Sequence, residues 1–392
     1  MSYDFDRRID RRRTDSAKWQ KYGPDILPLW VADMDFQSPE PVIRALRERV
    51  EHGVYGYITF EQPEFHQLFA DRLLKRYGWR VSPEAVVIIP GVIPGFNVAG
   101  RVLAAPGDGL VLMTPVYPPI LRAASNMDLT REDAPLARRA DGSYEVDVDA
   151  FTAAIGDRTR FFLLCNPHNP VGRVLRRDEL QRLAEVCLRR GLAIVADEIH
   201  CELTLDGQRH TPIASLAPEI SERTITLMAP SKTFNLAGLK FSVAIIPNAD
   251  LRAKFIAARA DLVSTVNVFG FTAAYAAYRD GGPWLDELMR YLETNRDFVM
   301  DYVRTRLPGV RVATPEATYL AWLDCRNAGA AAAADPFTFF LERARVALND
   351  GALFGPGGAG FVRLNFGCPR SLLVEALDRM RAALTDDRPA RV

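Results

Sequence analysis

Residues 224–238 read Thr-Ile-Thr-Leu-Met-Ala-Pro-Ser-Lys-Thr-Phe-Asn-Leu-Ala-Gly, a short apolar run that breaks into a polar loop at Ser231 and Lys232. A run of this length without polar alternation predicts a strand covered on both faces, as in a parallel sheet. Five further runs share the texture: Val86 to Ile89, Leu110 to Met113, Phe161 to Cys165, Leu192 to Ala196 and Phe241 to Ile246. Helical periodicity lies between several of them. From Asp178 to Arg190, Leu180, Leu183, Ala184, Cys187 and Leu188 fall on one face, and Gly191 follows as a C-cap. Strand–helix–strand units of this size predict an α/β fold with a mostly parallel, doubly wound sheet.

After about residue 280 the pattern changes. Leu285, Leu288, Met289, Leu292, Val299, Tyr302 and Val303 trace one long helical stripe. Strand-like pieces follow at Tyr319 to Leu323 and Phe361 to Phe366, then a last helix from about Ser371 to Leu384. This predicts a smaller α+β domain at 285–392, joined by the N-terminal segment 1–45, beside a large domain at 46–284. The alanine-rich stretch Ala328 to Ala334 reads as a loop or helix start.

Composition narrows the function. The chain has 392 residues, 48% of them hydrophobic and 25% charged, and Lys+Arg and Asp+Glu are both 49. A net charge of zero argues against a nucleic-acid-binding body. Five cysteines without a CxxC pair give neither a disulfide framework nor a metal site and suit reduced thiols in the cytoplasm. Met1 to Arg13 is charged and lacks the apolar core of a signal peptide, and Arg11 to Arg13 read as a solvated or salt-bridged surface segment. No 18-residue apolar run predicts a membrane span.

Ligands of open parallel sheets bind beyond the carboxyl ends of the strands. The residues just past the apolar runs form a coherent set there: Gly91, Tyr117, Asn166 and Asn169, Asp197, and Ser231 with Lys232. Only six of the basic residues are lysines, which gives Lys232 added weight. A lysine, an aspartate and an asparagine in one crevice suit pyridoxal 5′-phosphate (PLP). That cofactor needs a Schiff-base lysine, a carboxylate at the pyridine nitrogen, a donor at the phenolic oxygen, an aromatic face and an anion cradle. Pro90 to Gly95 precede a helix-like run, so their free amides suit the phosphate.

At this point the sequence resembles a family. APSKTFNLAG (Ala229 to Gly238), NPHNPVG (Asn166 to Gly172) and DEIH (Asp197 to His200) are similar to blocks of the fold-type-I PLP enzymes, the aspartate aminotransferase superfamily. PLWVADMDF (Pro28 to Phe36), TPVYPP (Thr114 to Pro119), ALNDGALFG (Ala347 to Gly355) and VRLNFGCPRS (Val362 to Ser371) resemble the cystathionine β-lyases of the MalY/PatB type. The resemblance implies a homodimeric PLP enzyme with its site at the interface, cleaving L-cystathionine or related S-substituted cysteines to a thiol, pyruvate and ammonia. It implies Lys232 as the Schiff-base lysine and Cα base, Asp197 at the pyridine nitrogen, Asn169 at the phenolic oxygen and Tyr117 on the ring. Val92, Ile93, Ser231 and Lys240 would hold the phosphate, and Tyr57 would come from the neighbouring subunit. Arg363 would take the substrate carboxylate as a bidentate pair.

Three positions depart from the pattern. Lys240 replaces the arginine of many aminotransferases, leaving phosphate contact and a solvated side chain both open. His200 stands where aminotransferases carry tyrosine, and a cofactor-shell role is expected. Tyr55-Gly56-Tyr57-Ile58 matches the family's aromatic-Gly-Tyr loop incompletely. Rival readings are an aminotransferase using the same residues and a regulatory protein that kept the fold without turnover. Gly355, Gly357 and Gly360 satisfy G-x-G-x-x-G but lead into a strand-like run, so they read as a loop rather than a dinucleotide fingerprint.

Overall fold

The computed structural model describes residues 3–260 and 262–386. Seven strands form the large sheet: β1 (Val86–Ile89), β2 (Gly109–Thr114), β3 (Thr130–Pro135), β4 (Thr159–Cys165), β5 (Ala193–Asp197), β6 (Thr224–Met228) and β7 (Ser242–Ile245). Their order is β1-β7-β6-β5-β4-β2-β3. All run parallel except β7, which is antiparallel to both β1 and β6. The unbroken apolar runs have a plain cause. Leu110, Leu112, Phe161, Leu163 and Val195 face one core, while Val111, Phe162, Leu164, Ile194 and Ala196 face another across the sheet. Both faces are buried, so neither needs polar residues.

Two features differ from the sequence expectation. β3 has no apolar run: Thr130-Arg131-Glu132-Asp133 is exposed or half-buried at the sheet edge, where polar side chains blunt further pairing. The Phe241 to Ile246 run is a strand, but an antiparallel one, so its start rather than its end lies at the carboxyl edge. Lys240 therefore reaches the same crevice as Lys232.

The second sheet is antiparallel, in the order β8 (Arg311–Val312), β9 (Leu320–Asp324), β11 (Phe361–Asn365) and β10 (Asn349–Asp350). Helices Gly282–Arg306 and Arg370–Asp386 accompany it, and the alanine-rich stretch contains a helix at Ala330–Ala334. The chain start crosses over to this sheet. Leu27–Pro28 pairs with Val346–Ala347, and Leu29 O accepts the Asn365 amide. The expected boundaries at 45/46 and 284/285 fall within helices Glu40–His52 and Gly282–Arg306. Gly355, Gly357 and Gly360 take left-handed φ of 84°, 84° and 80° in a loop before β11, with no helix after them.

Strand β4 supplies a paired test of this burial. Phe162 is fully buried and meets the Phe151 ring edge-on at 4.8 Å, while Arg160 on the same strand is 44% exposed. Phe162→Ala is expected to destabilise the protein by about 3–5 kcal/mol. Arg160→Ala should stay within about 0.5 kcal/mol. Urea unfolding of the two variants measures both.

Candidate active site

A cavity of about 450 Å³ opens at the carboxyl edge of the large sheet. Each wall is a strand end. β1 passes through Pro90 and Gly91 into the helix Val92–Leu103, β2 reaches Tyr117, and β4 ends at Cys165 and leads to Asn169. β5 ends on Asp197, and Ser231 with Lys232 sit in the single turn Pro230–Thr233 after β6. Gly91 has φ +138°, a conformation that L side chains rarely adopt, and no side chain caps the helix it opens. The first-turn amides of Val92 and Ile93 therefore have no intrahelical acceptor and form an anion cradle.

Three charged groups meet around this space, none of them in a direct ion pair among the described residues. Asp197 accepts one bond, from the Ile199 amide at 3.2 Å, and burial pushes its carboxyl up to about 7. Lys232 donates from Nζ to Ala32 O at 2.6 Å; burial, then the Arg363 charge, bring it down to about 8. Arg363 donates to Asn169 Oδ1 at 2.9 Å, Trp30 O at 3.0 Å and Asn349 Oδ1 at 2.8 Å, all neutral acceptors. Arg363 is 2% exposed, its Nε has no partner among the described residues, and burial lowers it to about 10. Among the described residues none of the three is in an ion pair. A buried charge without a partner is costly, and each of these shifts toward neutrality.

Ser231, Lys240, His200, Val92 and Ile93 line the cavity. His200 is buried with Nδ1 unpartnered, and burial beside Lys232 and Arg363 holds it neutral, down at about 3. Lys240 takes a left-handed φ of 53° at the turn into β7 and also borders an adjoining, more open cleft with Arg101 and Asn267. Asn166, grouped with the crevice residues by its place in the sequence, stays outside and accepts the Leu175 amide on Oδ1 at 3.0 Å, clamping its own loop. Tyr57 is not brought to the cavity by its own chain. Its side chain is 99% exposed in the segment between helices Glu40–His52 and Pro63–Tyr77.

Several site residues carried no sequence signal of their own. Ile199 lines the cavity two residues beyond Asp197, and Cys165 stands opposite Asp197 in the β4–β5 register. Tyr319 donates to Ala32 O at 2.9 Å, and Asn349 fixes Arg363 across the β10–β11 pairing. Ala32 contributes through its carbonyl, which no side-chain pattern reports.

The chain is 41% identical over 388 residues to the cystathionine beta-lyase PatB of Bacillus subtilis, covering 97% of this chain and 100% of that one. Cystalysin of Treponema denticola, solved with a pyridoxal 5′-phosphate cofactor, superposes with a TM-score of 0.94 at 33% identity, over 99% of this chain and 100% of that one. The PLP-bound C-S lyase of Staphylococcus hominis superposes with a TM-score of 0.92 at 32% identity, over 99% and 100%. The model of the family described as "Aminotransferase class I and II" matches residues 24–380, and the chain belongs to that family.

Proposed function

We propose that this protein is a PLP-dependent carbon–sulfur β-lyase that cleaves L-cystathionine or related S-substituted cysteines to a thiol, pyruvate and ammonia. The observation that carries it is the set of buried charges without ion pairs. One carboxylate, two cations and the amide cradle fit a ligand with one protonated nitrogen and two anionic groups. PLP with an amino acid presents that pattern: a pyridine nitrogen, a phosphate and a substrate carboxylate. The names of the similar lyases support the same reading.

When bound, PLP supplies an electron sink for the bonding pair left at the substrate Cα. The chain's own residues do the rest. Asp197 regains its charge beside the pyridine nitrogen and keeps that nitrogen protonated, because an opposite charge reverses the effect of burial. The Val92 and Ile93 amides, Ser231 and Lys240 would hold the phosphate, and Tyr117 would offer its aromatic face to the ring. Asn169, whose Oδ1 accepts from Arg363, would serve the phenolic oxygen through its amide nitrogen, and neutral His200 lines the same wall. Arg363 takes the substrate carboxylate as a fork, a geometry unique to guanidinium. Lys232, poised near neutrality, accepts the Cα proton as the sulfur departs.

The division of labour follows the chain. Residues 46–284 hold the cofactor, and the second sheet with the N-terminal segment holds the substrate carboxylate. A second copy of the chain supplies Tyr57, a reading supported by the exposure of Val54 (62%), Tyr55 (52%) and Tyr57 (99%) in one loop. The cytoplasm suits the five cysteines, all of them free and buried.

Purified protein mixed with L-cystathionine should release pyruvate and free thiol in equal amounts without a 2-oxo acid. Turnover only when a 2-oxo acid is added would make it an aminotransferase instead. Asp197→Asn should keep the fold and slow turnover about a thousandfold, as expected for losing ~4 kcal/mol at the transition state. Arg363→Lys should leave the cofactor spectrum unchanged and lower kcat/KM at least about tenfold, since the planar fork is lost. Steady-state kinetics and absorbance spectra check both.

A further inference from the structure

Residues 30–36 form a strap across the lysine side of the cavity, and side chains from both halves of the chain hold its carbonyls. Arg363 takes Trp30 O, and Asn365 takes Val31 O and Asp33 O at 2.6 Å each. Asn235, three residues after Lys232, takes Met34 O and Phe36 O at 2.9 Å each. Ala32 O receives Lys232 and Tyr319 together. Behind the strap lies a closed group of four charges. Lys18, whose side chain is fully buried, pairs with Asp35 at 2.6 Å, bonds Asp33 O at 3.3 Å and lies 3.5 Å from the Asp33 carboxylate. Arg11 pairs with Asp33 at 2.8 Å and Asp35 at 2.7 Å, and Trp19 donates to Asp35 at 2.8 Å. Two cations and two anions balance, yet none of the four lines the cavity.

We infer that Lys18 and Asp35 are positioning residues for Lys232, acting through the Ala32 carbonyl that they hold at a fixed depth. The inference rests on the proposed role of Lys232 and adds what aims it. A free lysine amine on a four-carbon stem needs a fixed acceptor to hold one geometry, and flexible stems lose entropy when held. Ala32 O supplies that acceptor from a backbone segment that is locked at both ends. Such a bond also favours the charged amine, against the burial that lowers it.

The groups facing Lys232 are Arg363 from the second sheet, Lys240 before β7, Asp197 and His200 after β5, Asp33 on the strap, and Tyr319 through the shared carbonyl. Two substitutions move the amine in opposite directions. Lys18→Met combined with Asp35→Asn removes one charge of each sign and leaves Arg11 on Asp33. The strap then loosens, the acceptor is lost, and the charged amine is less favoured. Tyr319→Phe removes the competing donor and leaves Ala32 O to Lys232 alone, so the charged amine is more favoured.

The test is pulse acylation of Lys232 in the cofactor-free full-length chain as a function of pH, with the labelled peptide quantified by mass spectrometry. The midpoint should fall by about half a unit or more in the double variant and rise in Tyr319→Phe. In the loaded enzyme the double variant should lose kcat at least about fivefold, with KM changing less. Midpoints that do not move, or that move the same way in both variants, overturn the inference. If the double variant fails to fold, Asp35→Asn alone, which leaves Lys18 and Arg11 on Asp33, takes its place, and a midpoint that does not fall overturns the inference. Acylation needs no substrate, so failure of the lyase reading leaves this result standing.

Discussion

A guanidinium buried against neutral oxygens is the constraint around which the rest of this structure is arranged. Arg363 has three hydrogen bonds and no anion, and a group in that condition is tolerated only where its surroundings are rigid. Its three acceptors come from widely separated segments: Trp30, Asn169 and Asn349. Each acceptor is itself tied to a strand end, a strap or a short pairing. The charge thus couples the carboxyl edge of the large sheet to the antiparallel sheet, and the stability of the join depends on that arrangement being complete.

Asp197 and Lys232 show the same economy on a smaller scale. Both are delivered by neighbouring parallel strands, β5 and β6, whose ends lie side by side in the sheet. Burial moves both groups toward neutrality from opposite sides, the carboxyl upward and the amine downward. Neither shift is a stabilising feature of the fold itself. They are the electrostatic shape of a ligand, and the hydrophobic cores on the two faces of the sheet carry the cost.

Most of this was legible in the sequence because parallel strands buried on both faces leave a strong signal. The runs at 86, 110, 161, 192 and 224 each mark a strand, and Gly91, Tyr117, Asn169, Asp197 and Lys232 beyond them lie in the crevice for a topological reason, while Asn166 is turned into its own loop. What escaped notice lacked that signal. β3 is an edge strand of charged residues, and the reversal of β7 cannot be read from an apolar run that looks the same in either direction. The strap at 30–36 works through main-chain oxygens, to which composition and periodicity are blind. Tyr57 shows a different limit, since a residue pointing away from its own chain has no contacts in that chain to interpret.

The span of these contacts bears on how the protein comes into being. Trp30 and Arg363 are 333 residues apart, and Tyr319 reaches Ala32 across 287. Contacts this distant in sequence form late, after the loop between their ends has been closed. On the ribosome, the sheet that carries Asp197 and Lys232 is complete long before residue 363 emerges. A nascent or truncated chain therefore exposes a half-built crevice that has its lysine but neither the clamp on residue 30 nor its guanidinium.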